Sequence, residues 1–205
     1  MDCENMDKEI LIKILKEKDE LLKRLVLEKE KLNYYASIDP LTDVLNRRSG
    51  LVQLSKELDL SKINGNNLVV CFVDIDKFKI INDVFGHEEG DKLLINTSLI
   101  LKNSIRKTDF VIRMGGDEFL VVFPETTIRE VNKVWYRILK SVEESNRNNE
   151  KYNLSLSYGC YEYGNEIENK VTVNDLIRRA DIEMYKIKNV KKEDFNYKYR
   201  NNVRW

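Results

Sequence analysis

The stretch RMGGDEFLVVFP, residues 113–124, most constrains the fold. Two apolar runs, DFVIRM and DEFLVVFP, flank Gly115 and Gly116. Runs of this length and composition read as strands, and a pair of glycines between them reads as a tight hairpin turn. A hairpin commits its sheet to antiparallel pairing. LVVCFVDI, residues 68–75, is short, apolar and β-branched, which marks a buried strand, and YNLSLSYGCYEY, residues 152–163, alternates as a further strand. Helical patterns are interspersed. The fold class is therefore α+β: an antiparallel central sheet with helices packed on it.

Among the helices, Ser37 or Asp39 can end one and cap the next, with Pro40 at the first helical position and Leu51, Leu54 and Leu58 continuing to about Leu60. DKFKIINDVFG reads as a short helix and HEEGDKLLINTSLILKNSIRK as a longer one. Thr126 or Thr127 opens an amphipathic helix. The last helix, TVNDLIRRADIEMYKIKNV, turns Leu176, Ile177, Ala180 and Met184 inward. Ahead of all these, residues 6–35 hold no Gly or Pro, and Leu11, Ile14, Leu15, Leu21, Leu22, Leu25 and Leu32 recur at three- and four-residue steps. This is one long amphipathic helix with a narrow seam, read as a short parallel coiled coil. A helix folded back on its own domain is the other reading. The expected division is a helical segment at residues 1–36 and a globular domain at 37–205.

With 205 residues there is room for one sizeable domain plus an extension. The 35 basic and 35 acidic residues cancel, so no global field argues for nucleic acid or an acidic membrane. The C-terminal segment is locally basic, with Lys186, Lys188, Lys191, Lys192, Lys198, Arg200 and Arg204, and reads as a solvated tail. Cys3, Cys71 and Cys160 fit no paired or metal-binding spacing; Cys71 reads as a small core residue, and the set suggests a reducing compartment. The polar N-terminus is wrong for a signal peptide, and no apolar run approaches the ~20 residues that span a bilayer. A soluble, cytoplasmic chain is expected, with no membrane contact.

Chemistry concentrates at strand ends. Asp74 and Asp76 close the buried strand, and alternation puts them on one side. Carboxylates there are expensive without a partner. The turn offers Asp117 and Glu118; if the two strands are neighbours, Asp74 and a turn acid converge and repel unless a proton or cation lies between them. Oxygen ligands favour Mg²⁺ or Mn²⁺, and Mg²⁺ held by few carboxylates usually also holds phosphate. Two solvated acids are the plainer alternative. Gly115 and Gly116 let the backbone approach a ligand. Lys77 and Lys79, at the next helix start, can meet phosphate oxygens. Asn82 and Asp91 present groups that suit a guanine edge. His87 lies between them and reads first as a capping or packing residue, not as a metal ligand.

The segments DPLTDVLNRR, VDIDKFKIINDVFGHEEGD, RMGGDEF, SYG and ADIEMYKIK, in this order, closely resemble the GGDEF family, the diguanylate cyclases. The resemblance implies a sheet similar to the palm of polymerases and adenylyl cyclases. It implies a homodimer in which two GTP condense to cyclic di-GMP and two pyrophosphates. It implies metal binding by Asp74, Asp117 and the Ile75 carbonyl, with Asp117 as proton acceptor and Glu118 beside it. Asn82 and Asp91 would read guanine, with His87 near; Phe78, Lys79, Gly116 and Lys188 would meet the nucleotide. RKTD, residues 106–109, matches the family's inhibitory product site, with Arg106 and Asp109 on the product and Arg137 serving a second half. One departure stands out. The family usually ends its last helix with Gly-Arg-Asn, where this chain has Lys191, Lys192 and Glu193, which leaves Lys192 for the phosphate-contacting arginine. Asp43 also stands where glycine is usual. A non-catalytic receptor for GTP or cyclic di-GMP, and an enzyme of relaxed purine choice, are the competing readings.

Overall fold

The computed structural model describes residues 3–164 and 170–202, apart from the side chains at 3–7, 9, 33 and 192–202. It falls into two units, Met1–Ile38 and Asp39–Trp205. The first is a single helix, α1 (Cys3–Ser37), whose seam residues Leu11, Leu15, Leu22, Leu25 and Leu32 are all exposed.

The second unit runs β1 (Leu45–Asn46), α2 (Arg47–Asn64), β2 (Leu68–Ile75), α3 (Phe78–Phe85), α4 (His87–Ser104), β3 (Phe110–Gly115), β4 (Glu118–Pro124), α5 (Ile128–Arg147), β5 (Leu156–Tyr163) and α6 (Val173–Asn202). The sheet order is β1-β3-β4-β2-β5. β2 pairs antiparallel with β4 and β5, β3 pairs antiparallel with β4, and the two-residue β1 joins β3 in parallel. β2 is buried at every position because helices cover both faces. Val69, Cys71, Val73 and Ile75 share one core with Leu93, Leu101, Trp135 and Ile138; Leu68, Val70 and Phe72 share the other with Leu54, Leu58, Leu176, Ala180 and Met184. Burying such apolar side chains contributes about 1.5–3 kcal/mol each. Asp74 and Asp76 continue the second face and come to lie under α6.

The structure corrects four readings. Pro40 sits in a turn rather than at a helix start, because Asp39 accepts from both the backbone N–H and hydroxyl of Thr42 (2.9 and 2.6 Å). α2 is capped instead by Asn46, which accepts from the Ser49 N–H at 3.0 Å, and it runs past Leu60 to a left-handed Gly65. β5 starts at Leu156, four residues later than the alternation suggests. α6 passes through residue 190 without a break. Thr127 opens α5 in a capping box with Glu130, as its sequence suggests.

Cys71 and Cys160 are register partners on β2 and β5 and form a disulfide, with Cα atoms 4.1 Å apart. The sequence reading left all three cysteines unpaired and took them to suggest a reducing compartment; a separation of 89 residues carries no spacing signal, and with Cys71 and Cys160 paired the cysteines do not support that inference. No helix among the described residues is long and apolar enough to cross a membrane.

Candidate active site

The hairpin and β2 bring the acids together. Glu118 is the register partner of Asp74, and the Ile75 N–H donates to the Asp117 carbonyl at 3.2 Å. Gly116 holds φ +49°, a left-handed conformation that favours glycine and lets Asp117 follow directly in a two-residue turn. Arg113 fixes that turn from behind. Its guanidinium donates to the Gly116 carbonyl through Nη2 at 3.0 Å and to Asp39 through Nη1 at 3.0 Å.

Asp74 is 7% exposed and accepts from Lys188 Nζ at 2.6 Å through Oδ2, while its Oδ1 is buried without any hydrogen-bond partner. Burial pushes the Asp74 carboxyl above its usual range despite Lys188, and Asp117 and Asp76 add repulsion. Glu118 is also raised, first by burial and then by Asp117, Asp74 and Asp181. An orphaned carboxylate oxygen among repelling acids is the electrostatic condition that a hard cation relieves. Among the described residues no three acidic, histidine or cysteine side chains form a ready cage. A site of two carboxylates plus the Ile75 carbonyl needs none, so the donor set fits Mg²⁺ or Mn²⁺.

Asp76 has a different fate. Burial would raise it, but Lys191, Ser155 and Ser157 outweigh burial and hold it below the usual carboxylate range. Ser155 and Ser157 each donate to it at 2.6 Å, and Lys191 at 2.8 Å.

The α3–α4 corner carries the residues expected to read a guanine edge. A Cβ on Gly90 would lie 1.8 Å from Asn82 Oδ1 and 3.3 Å from Phe78 Cζ, so glycine there makes room for both side chains. Asn82 Oδ1, like Asp74 Oδ1, is buried without a hydrogen-bond partner. His87 begins α4, and it, Asp91 and Lys79 are exposed. Lys77 precedes α3 in a left-handed conformation. Together with Ile80, Phe85, Tyr152, Lys188 and Lys191 it lines a cavity of about 860 Å³ that also touches Asp76. The Lys192 side chain lies outside the described residues.

RKTD forms a closed turn away from the acids. Arg106 donates to Asp109 through its backbone N–H at 3.1 Å and through Nε at 2.9 Å, and also to the Pro124 carbonyl at 2.6 Å. Asp109 is buried, whereas the Arg106 side chain is 53% exposed. Arg137 donates to the Ser104 carbonyl at 2.9 Å, at the end of α4.

The sequence reading gave no role to Arg113, Ser155, Ser157 or Asp181, and read Asp39 only as a helix cap. Arg113 was the most legible of these, as a fork-shaped donor two residues ahead of a glycine turn. The serines gave no signal, because only the β2–β5 register sets them against Asp76.

Acids at the end of a buried central strand, a glycine turn beside them and lysines from a covering helix define a site class suited to a phosphate-bearing ligand with a divalent cation. The family model described as diguanylate cyclase, GGDEF domain, matches residues 36–194, and this chain belongs to that family. It is 36% identical over 137 residues to the diguanylate cyclase DosC of Escherichia coli (strain K12), covering 65% of this chain and 30% of DosC. It thus spans less than a third of that relative's length. Among solved structures it is similar to the diguanylate cyclase SiaD from Pseudomonas aeruginosa, in complex with its activator SiaC, at 27% identity and a TM-score of 0.74 over 91% of this chain and 72% of that one. The coiled coil and GGDEF domain of DgcB from Caulobacter crescentus, in complex with c-di-GMP, shares the fold at 23% identity and a TM-score of 0.76, over 87% of this chain and 94% of that one.

Proposed function

We propose that this domain is a diguanylate cyclase that condenses two GTP into cyclic di-GMP with release of two pyrophosphates, each copy of the chain contributing one GTP. The observation that carries the reading is the orphaned Asp74 oxygen beside Glu118 and the Asp117 turn. Asp74, Asp117 and the Ile75 carbonyl would hold Mg²⁺ or Mn²⁺, which would supply charge neutralisation at the α-phosphate and a more acidic 3′-hydroxyl. Asp117 takes the hydroxyl proton, directly or through solvent. As the hydroxyl oxygen bonds to the α-phosphorus, the bond to pyrophosphate breaks. Lys188, Lys79 and the backbone N–H groups opening α3 receive the phosphate oxygens. Asn82 and Asp91 hold the guanine edge, with His87 and Phe78 beside the base.

The paired reaction needs two sites facing each other, and the exposed leucine seam of α1 supports a homodimer joined as a coiled coil. Product feedback through Arg106, Asp109 and Arg137 is supported by the RKTD turn, where the Arg106 side chain is half-exposed although Nε and Nη2 are engaged within the protein. GTP as substrate supports a cytoplasmic location. The test is to incubate the purified protein with GTP and Mg²⁺, or Mn²⁺, and identify the product by mass, with Asp117→Ala as the comparison. Cyclic di-GMP from the parent chain and none from the variant is the expected result. GTP binding without product would leave the receptor reading in its place.

A further inference from the structure

We propose that Lys191 is a positioning residue for the phosphate side of the site: it neutralises Asp76, so that Lys188 remains available to Asp74 and to an incoming triphosphate. The proposal rests on the nucleotide-binding reading above.

The geometry is a two-rung ladder between α6 and β2. Lys188 and Lys191 are three apart on a helix, so they share a face. Asp74 and Asp76 are two apart at a strand end, so they also share a face. Lys188 meets Asp74 at 2.6 Å and Lys191 meets Asp76 at 2.8 Å. Lys191 is fully engaged, donating also to the Leu156 carbonyl at 2.7 Å and to Ser155 Oγ at 3.3 Å. Its ammonium therefore has little left to give a phosphate, whereas Lys188 makes one contact in the ladder, the 2.6 Å bond to Asp74. α6 must run unbroken through residue 191 to place this second rung.

Removing the Lys191 charge leaves Asp76 with two neutral serine donors and an uncompensated charge. Its side chain is only 13% exposed, so water screens it poorly. The nearest lysine on that face of α6 is then Lys188, one turn back. A Lys188 shared between two carboxylates is withheld from phosphate, and the extra negative charge repels the triphosphate itself. Lys191 thus acts on the nucleotide through Asp76 and Lys188 without touching it.

The test measures Mg²⁺-dependent binding of 3′-deoxy-GTP by calorimetry, since that nucleotide lacks the attacking hydroxyl, together with steady-state kinetics on GTP. The expected result for Lys191→Met is about tenfold weaker binding and a KM raised to match, the size of one lost charged contact, with kcat changed less than about twofold. Lys191→Arg should keep parent affinity. Adding Asp76→Asn to Lys191→Met should restore it, because the charge needing a partner is gone. Parent affinity in Lys191→Met overturns the proposal, and so does a loss that Asp76→Asn fails to rescue, which would mean direct phosphate contact or a merely structural role. Should Lys191→Met not fold, Asp76→Asn alone decides: unchanged or tighter binding supports the proposal, and a tenfold loss overturns it. If the parent chain fails to bind 3′-deoxy-GTP at all, the nucleotide reading itself fails and this proposal with it.

Discussion

Asp39 shows how one carboxylate can fix a glycine turn from a distance. It accepts from Thr42 and from Arg113, and Arg113 in turn holds the Gly116 carbonyl. Burial would raise its pKa, but the Thr42 and Arg113 hydrogen bonds outweigh burial and lower it from 3.8. A depressed folded-state value means the stabilisation is present above the unfolded value and is lost as pH falls through the folded one. Asp39→Asn should therefore destabilise the domain by about 1–3 kcal/mol at pH 7, with a difference that shrinks in acid below that window, as urea unfolding at both pH values would read. Asp91 is the residue that should distinguish purines. Without its carboxylate the guanine N1 and N2 hydrogens lose a partner worth about 1–3 kcal/mol. Asp91→Ser should weaken GTP preference and admit some ATP; an unchanged ratio of GTP to ATP use means that Asp91 does not read the base.

At the scale of elements, the hairpin, β2 and the inward face of α6 were legible because their signals are local: strand-length apolar runs, paired glycines, and a helical spacing at Leu176, Ala180 and Met184. What the sequence hid depends on partners distant in the chain. β1 is a strand only because β3 lies beside it, with Leu45 against Ile112. Pro40 looked like a helix start, but the Asp39–Thr42 hydrogen bonds won that segment for a turn. The acids were legible as residue types, while the division of labour between Asp74 and Asp76 was not, since it turns on which α6 lysine and which β5 serine face each of them. The RKTD turn offers a test at this scale. Arg106→Ala removes the side-chain contacts to Asp109, to the Pro124 carbonyl and to Thr126, and should relieve product inhibition by abolishing tight cyclic di-GMP binding, with little change in initial rate. Unchanged product affinity by calorimetry would refute that role.

For the whole molecule, the proposed reaction would place one GTP in each copy of the site, so activity should follow association of two copies. α1 would raise the local concentration of one half-site near the other to about millimolar for a short connection. Removing residues 1–36 should leave a folded domain that still binds GTP, with specific activity that falls and then climbs steeply with protein concentration. Equal activity of the shortened and full chains at low concentration would show that α1 is not the joining element. The two ion pairs under α6 carry a further consequence, for kinetics. Lys188 and Lys191 spend their charge on Asp74 and Asp76, in a chain whose total charge is zero. Asp117 and Glu118 add negative charge beside these pairs, so the resting site offers no long-range pull on a polyanion. Nucleotide capture should proceed without electrostatic acceleration, and stopped-flow association should not slow as ionic strength is raised.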